Sequence, residues 1–176
     1  MTDNDEKNIS IEAVEITSID YSKYGILYNL SGSGINTANT NHSSGTGWED
    51  TDTNRPLLDT LGALGYTHGQ GAPFYAKEME RHAHTQEALF PISQPIVFCL
   101  AEKGKDVPEA NSIVPVILRQ GYVFVLHRSI WHTSSYGLNG ETHYHWMALV
   151  YYNEPTEWKT IDGGPVYITI HSDNIV

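Results

Sequence analysis

The sequence predicts an all-β fold, and three observations predict it. From about residue 73 onward, short runs rich in Val, Ile, Tyr and Phe follow one another at roughly 8 to 12 residue spacing. Clusters of Gly, Pro, Ser, Asn and Asp punctuate those runs. No helical hydrophobic period is long enough to make a βαβ unit, and 11 Tyr and 4 Trp accompany a lack of long charged helical stretches. A sandwich, jelly roll or barrel with few short helices accommodates this pattern. At 176 residues the chain is expected to be a single domain over 1–176, with its core in roughly 73–171.

In chain order, residues 9–17 alternate imperfectly and predict a first strand. Residues 18–25 run from a capping serine to a glycine and fit one or two helical turns, and 25–30 returns to strand character. Residues 31–55 are mostly Gly, Ser, Asn, Thr and Asp, a composition that buries little surface and predicts a long surface loop with Trp48 as its aromatic anchor. Residues 57–64 fit a short helix or a strand equally, and 66–73, with His68, read as loop. Strands are then expected at 74–84, 87–92, 95–101, 112–118, 122–127, 131–136, 143–152 and 165–171.

Ten basic against 21 acidic residues give a formal net charge of −11, which excludes nucleic acid and anionic membranes as partners. An anionic small molecule would need local attraction, from a metal or from cations such as Lys77, Arg81 or Arg119. No apolar run approaches the ~20 residues of a membrane helix. The polar, acidic residues 1–10 lack the apolar stretch of a signal peptide, so a cytoplasmic protein is expected. The single cysteine, Cys99, lies in an apolar run and reads as a small buried hydrophobe.

The chemistry concentrates in residues 80–87 and 130–133. His82 and His84 are two apart, so on a strand their imidazoles leave one face, with Cα atoms roughly 6.5 to 7 Å apart, and can converge on one ion. The same alternation adds Glu78 and Glu80 to that face and puts Lys77, Met79 and Arg81 on the other. Imidazole and carboxylate suit a divalent transition metal such as nickel, zinc, manganese or iron. Strict alternation gives Gln86 the histidine face, while a turn at Thr85-Gln86 would give it to Glu87. His132, after the apolar strand 122–126 and the turn at Arg128-Ser129, is positioned to face back into a barrel, whereas His127 suits the surface. His143 and His145 form a second two-apart pair.

The segment Glu80-Arg-His-Ala-His-Thr-Gln-Glu-Ala-Leu-Phe-Pro91 resembles the E-R-H-x-x-x-x-Q-A-F-x-P signature of the ureidoglycolate lyases, small double-stranded β-helix proteins of the cupin class. Ile130-Trp131-His132 resembles that family's V-W-H signature, and Tyr24-Gly25 its early tyrosine-glycine pair. The resemblance spans mainly residues 74–152. It implies a cupin jelly-roll barrel and a carbon–nitrogen lyase of allantoin degradation that cleaves ureidoglycolate to glyoxylate and urea. By position it makes Glu80, His82 and His132 site residues and favours Glu87, where the family has glutamine, over Gln86. The chain departs from the family in that glutamate and in residues 36–52, which lack an arginine-containing substrate loop.

Together these readings expect metal ligands His82, His84, Glu87 and His132, and catalytic roles for Glu80, His132 and His145. Lys77, Arg81, Trp131 and His143 are expected to bind a small anionic 2-hydroxy acid. Exposed strand edges make a homodimer the expected assembly. Two rival expectations are a sugar or uronate isomerase or lyase using the same hydroxy-carbonyl chemistry, and a non-catalytic cupin that binds small molecules.

Overall fold

The computed structural model describes residues 9–31, 38–150 and 156–174. In chain order the strands are β1 (Ile9–Glu12), β2 (Val14–Glu15), β3 (Gly25–Asn29), β4 (Thr40–Gly45), β5 (Trp48–Thr53), β6 (Ala63–Gly69), β7 (Phe74–Ala76), β8 (Glu78–Arg81) and β9 (Glu87–Pro91). They continue as β10 (Ile96–Ala101), β11 (Val114–Leu118), β12 (Tyr122–Leu126), β13 (Trp131–His132), β14 (Tyr136–Gly137), β15 (Thr142–Ala148), β16 (Glu157–Thr160) and β17 (Val166–Thr169). Among the described residues the helices are single 3-10 turns, at Ile16–Ser18, Tyr21–Lys23, Ala110–Ser112 and Ser172–Asn174. The all-β expectation is met. No helix among these residues is long and apolar enough to cross a membrane.

The strands form layers. A seven-stranded sheet runs β16-β8-β13-β10-β11-β2, with β14 also paired to β10, and a five-stranded sheet runs β3-β12-β9-β15-β6. Their facing sides bury Leu27, Leu89, Phe98, Leu100, Leu118 and Phe124 in one cluster. The other side of the seven-stranded sheet packs Val97, Cys99, Met79 and Trp131 against Phe74, Val166 and Ile168 of the three-stranded sheet β1-β17-β7. β10 lies between these layers, which is why all six of its residues are apolar and buried. Burial also pushes the Cys99 thiol up to about 12, in keeping with an inert core cysteine. Leu57 and Leu58 cover part of the outer side of the five-stranded sheet, over Tyr28, Ala88 and Val125.

Three local readings change. The stretch 74–84 is not one strand: β7 belongs to the three-stranded sheet and β8 to the seven-stranded one, and the chain passes between them at Lys77. Within 31–55, β4 and β5 form a hairpin held by polar cross-strand pairs such as His42–Thr51. Gly47, at φ 84°, makes its tight turn, a hairpin signal that a composition-based loop reading passes over. Residues 66–73 are not all loop, because β6 extends to Gly69 and carries His68 on the sheet edge. Of the expected loop 31–55 and strand 143–152, residues 32–37 and 151–152 lie outside the described residues.

Candidate metal centre

Strand register decides which side chains meet between the two large sheets. His132 pairs with Leu100 on one side and Glu80 on the other, so both share the inward face that Leu100 occupies. Trp131, one residue earlier, pairs with Ala101 and turns to the opposite layer. Glu87 is two residues before the inward Leu89 in β9 and takes the same face, while Ala88 turns outward. β8 ends at Arg81, so residues 82–86 form the turn that restores Glu87 to the interior. Gln86 faces out, its Oε1 accepting from the Asp59 N–H at 3.0 Å. The structure therefore selects Glu87.

The β12–β13 turn holds the His82 segment from behind. Ser129 adopts φ 63°, unusual for a residue with a Cβ, and its N–H donates to the His82 carbonyl at 2.9 Å. Arg128 Nη1 donates to the His84 carbonyl at 2.7 Å.

Glu80, His82, Glu87 and His132 converge. His82 Nε2 lies 2.8 Å from a Glu87 oxygen and 3.8 Å from one of Glu80, and His132 Nε2 lies 3.6 and 3.8 Å from oxygens of the same two carboxylates. Both Nε2 atoms are buried and make no well-formed hydrogen bond, although His82 Nε2 stands at ion-pair distance from Glu87. The other nitrogens are engaged: His132 Nδ1 donates to the Ile130 carbonyl at 3.1 Å, and His82 Nδ1 lies 3.3 Å from Thr156 Oγ1. In the neutral form that metal binding requires, Nδ1 carries the proton and His132 offers its Nε2 lone pair at the point the two carboxylates share.

That arrangement fits a metal ion. Donors each about 2.1 Å from one tetrahedral ion stand about 3.4 Å apart, close to the 3.6 to 3.8 Å that separate His82 from Glu80 and His132 from both carboxylates, which is too long for hydrogen bonds, whereas His82 and Glu87 stand closer, at 2.8 Å. Donor atoms of Glu80, His82 and His132 lie within 4.8 Å of one another, a group that could hold an ion. Imidazole and carboxylate donors of this kind suit zinc, manganese, iron or nickel, and Glu87, outside that group, brings a second carboxylate against both imidazoles. The Nδ1 contacts are the outer hydrogen bonds that orient ligating histidines.

The two carboxylates differ. Burial would raise Glu87, but the imidazoles of His132 and His82 outweigh it and hold the carboxyl at about 2. For Glu80, burial prevails over His132 and His82 and lifts its carboxyl above the ordinary range. His132 shows the reverse balance: burial pulls it down, and Glu87 and Glu80 lift it to about 9. The two carboxyls are thus shifted in opposite directions, an asymmetry of the kind that separates the roles of two acids.

Glu80, His82 and Glu87 line a cavity of about 360 Å³, together with Thr67, Ser134, Tyr144, Trp146 and Thr156, and His132 lies buried behind them. His84 lines it as well, but its Nε2 donates to the Leu149 carbonyl at 3.1 Å and it does not join the group. Same-face alternation does not apply to it because the strand has ended. His143 and His145 are not brought to the site. In β15, Tyr144, Trp146 and Ala148 face the cavity, so the histidines between them face out with Tyr66, and His145 Nδ1 donates to the Gly65 carbonyl at 3.0 Å. Arg81 and Trp131 also lie away from the cavity, where the guanidinium covers the indole at 4.3 Å and pairs with Glu157 at 2.6 Å. Lys77 is exposed and lines a separate hollow.

Tyr144 and Trp146 were legible as lining residues, since the apolar face of an alternating strand is its core face. Thr156, on a segment remote from every motif, left no sequence signal. No known protein family's sequence profile matches the chain, and no curated protein matches it.

Proposed function

We propose that the protein is a metal-dependent enzyme of the cupin type that moves a proton on, and cleaves, a small hydroxy acid. Two buried imidazole Nε2 atoms without hydrogen-bond partners, facing two carboxylates of opposite protonation tendency, carry this reading. A divalent ion held by His82, His132 and one of the two facing carboxylates, Glu87 in this reading, would supply the positive charge that acidifies a bound hydroxyl and offsets the acidic surroundings of an anionic substrate. Glu80, in reach of the same point, takes the hydroxyl proton and returns it to the leaving group. Tyr144 and Trp146 shape the cavity around the substrate, and Thr156 and Ile130 keep the imidazoles in register.

The first reaction to test is the one that the signature resemblance implies, cleavage of ureidoglycolate. The hydroxyl proton leaves, its C–O bond becomes the carbonyl of glyoxylate, the C–N bond breaks, and the nitrogen takes a proton to leave as urea. Elemental analysis of the purified protein, with urea release measured before and after chelation, tests the assignment. Stoichiometric metal and chelator-sensitive urea release are expected; full metal occupancy without urea release would remove ureidoglycolate as the substrate. A sugar or uronate isomerase or lyase is the second reading, favoured by a cavity that combines Trp146 and Tyr144 with the hydroxyls of Thr67, Ser134 and Thr156. A homodimer through the edge strand β6, which carries neither proline nor a charge of Lys, Arg, Asp or Glu, belongs to the same proposal, and light scattering tests it.

A further inference from the structure

Beside the metal group lies a second hollow that the chemistry above does not use. It holds about 200 Å³, and Tyr75, Lys77, Glu78, Ser134, Tyr136 and Trp158 line it. Ser134 lines both cavities, so the two meet across one residue. Register accounts for their alignment: Trp158 stands opposite Glu80, and Thr160 opposite Glu78, so Trp158 shares the face of Glu80. Lys77 precedes Glu80 by three residues, roughly 10 Å along the chain.

Tyr136 stacks on Phe74 and Tyr75 lies against Tyr167, but Lys77 and Trp158 are not explained by packing. Among the described residues, the Lys77 ammonium, like that of Lys103 in a remote loop, has neither an ion-pair nor a hydrogen-bond partner, whereas Lys23, Arg81, Lys105, Arg119, Arg128 and Lys159 each meet a carboxylate. The Trp158 and Tyr75 side chains are about half exposed, at 45% and 47%. A lone cation, an exposed indole and the carboxylate of Glu78 together fit a sugar acid. The acid group pairs with the ammonium, the C–H face of the sugar covers the aromatic ring, and hydroxyls donate to the glutamate.

We propose that this hollow is the distal subsite of the same active site, and that it receives the carboxylate-bearing end of a polyhydroxy acid of about six carbons whose hydroxy-carbonyl end reaches His82 and His132. The proposal rests on the metal-binding reading of that group and selects the sugar-acid class between the two substrate classes above. Three residues of chain separate Lys77 from Glu80, a span that a six-carbon chain together with the reach of the Lys77 side chain covers and glycolate does not; ureidoglycolate is longer than glycolate but lacks the run of hydroxyls for Glu78 and the C–H face for Trp158.

The test is calorimetric titration of the full-length, metal-loaded protein with D-glucuronate, D-glucose and glycolate, beside Lys77→Met and Trp158→Ala. Glucuronate is expected to bind the parent about tenfold tighter than glucose or glycolate, and Lys77→Met to lose about that factor for glucuronate alone. Trp158→Ala should weaken glucuronate and glucose together. Metal content, measured separately, should match the parent in both variants. Equal glucuronate affinity in Lys77→Met and parent at full metal occupancy would overturn the subsite and leave the metal centre standing, as would a preference for glycolate. A parent protein that takes up no metal would overturn the metal centre, and this proposal with it.

Discussion

The histidines that lie on either side of the five-stranded sheet, those of the seven-stranded layer facing its inner side and those on its own outer side, behave differently. On the inner side, His82 and His132 each engage Nδ1 and leave a buried Nε2 facing Glu80 and Glu87 without a hydrogen bond. On the outer side, His143 Nδ1 lies 2.6 Å from the Tyr66 hydroxyl, His68 Nε2 lies 3.2 Å from Glu141, and His145 Nδ1 meets a backbone carbonyl. The rings of His68 and His143 also stack, with centroids 4.7 Å apart. One set has ring nitrogens turned on a shared point, the other has them occupied by local partners near water. Spacing does not separate these groups; what stands across from each ring does.

The sharpest way to break this comparison is to delete an inner ring and an outer ring in parallel. His132→Ala should abolish stoichiometric metal binding and turnover while keeping a cooperative unfolding transition. His143→Ala and His145→Ala should leave metal content unchanged and stability within about 0.5 kcal/mol, as surface changes do. Parallel loss of metal in both groups, read by elemental analysis, would mean the inner arrangement is not the centre. His127→Ala, where Nε2 donates to the Ser22 carbonyl at the surface, serves as a further control and should stay within a few-fold of the parent.

Glu87→Gln installs the amide of the resembled signature and should weaken metal affinity by about a hundredfold, since it removes a buried negative ligand. Unchanged affinity by competition with a chelator would assign the carboxylate role to Glu80 alone. The same variant sharpens the pH comparison. In the metal-free protein His132 is raised from 6.5 to about 9, so its contribution to stability is complete below pH 6.5 and is lost as pH rises through 9. Glu87 is depressed from 4.5 to about 2, so its contribution is present above pH 4.5 and is lost as pH falls through 2. Metal binding needs neutral His132 and should therefore release a proton and strengthen from pH 6.5 toward 9. Glu87→Gln should move that rise to lower pH; a chelator-competition profile that does not move would show that Glu87 is not what holds the proton on His132.

The smallest expected effect belongs to the outer support of the inner group. Thr156→Val removes the oxygen beside His82 Nδ1 and should cost about tenfold in metal affinity with little change in melting temperature. An equal affinity by titration would leave the His82 ring oriented by packing and the Ser129 contact instead.

The amino-acid sequence by itself determined the β class, because dense short apolar runs between turn residues admit little else. It also singled out Glu80, His82 and His132, whose residue types sit in an apolar context where burial demands partners. The choice between Gln86 and Glu87 was left open by alternation, and the resemblance leaned to Glu87 on position alone. Only the turn at 82–86, set by where β8 leaves one sheet and β9 enters the other, supplied the physical reason. The inward turn of Tyr144 and Trp146 rather than His143 and His145 was present in the alternation of β15, yet the residue types drew a catalytic role to His145 and a substrate-binding role to His143; the pairing of Trp146 with Leu89 and of Ala148 with Glu87 turns the other face inward. His84 and Thr156 were decided by tertiary structure alone: a ring just past a strand end turns toward whichever carbonyl is close, and a threonine more than seventy residues away in the chain becomes the partner of His82 only when the sheets assemble. Local sequence sets the period of a strand, whereas register, sheet exchange and long-range contact set which of its faces meets which chemistry.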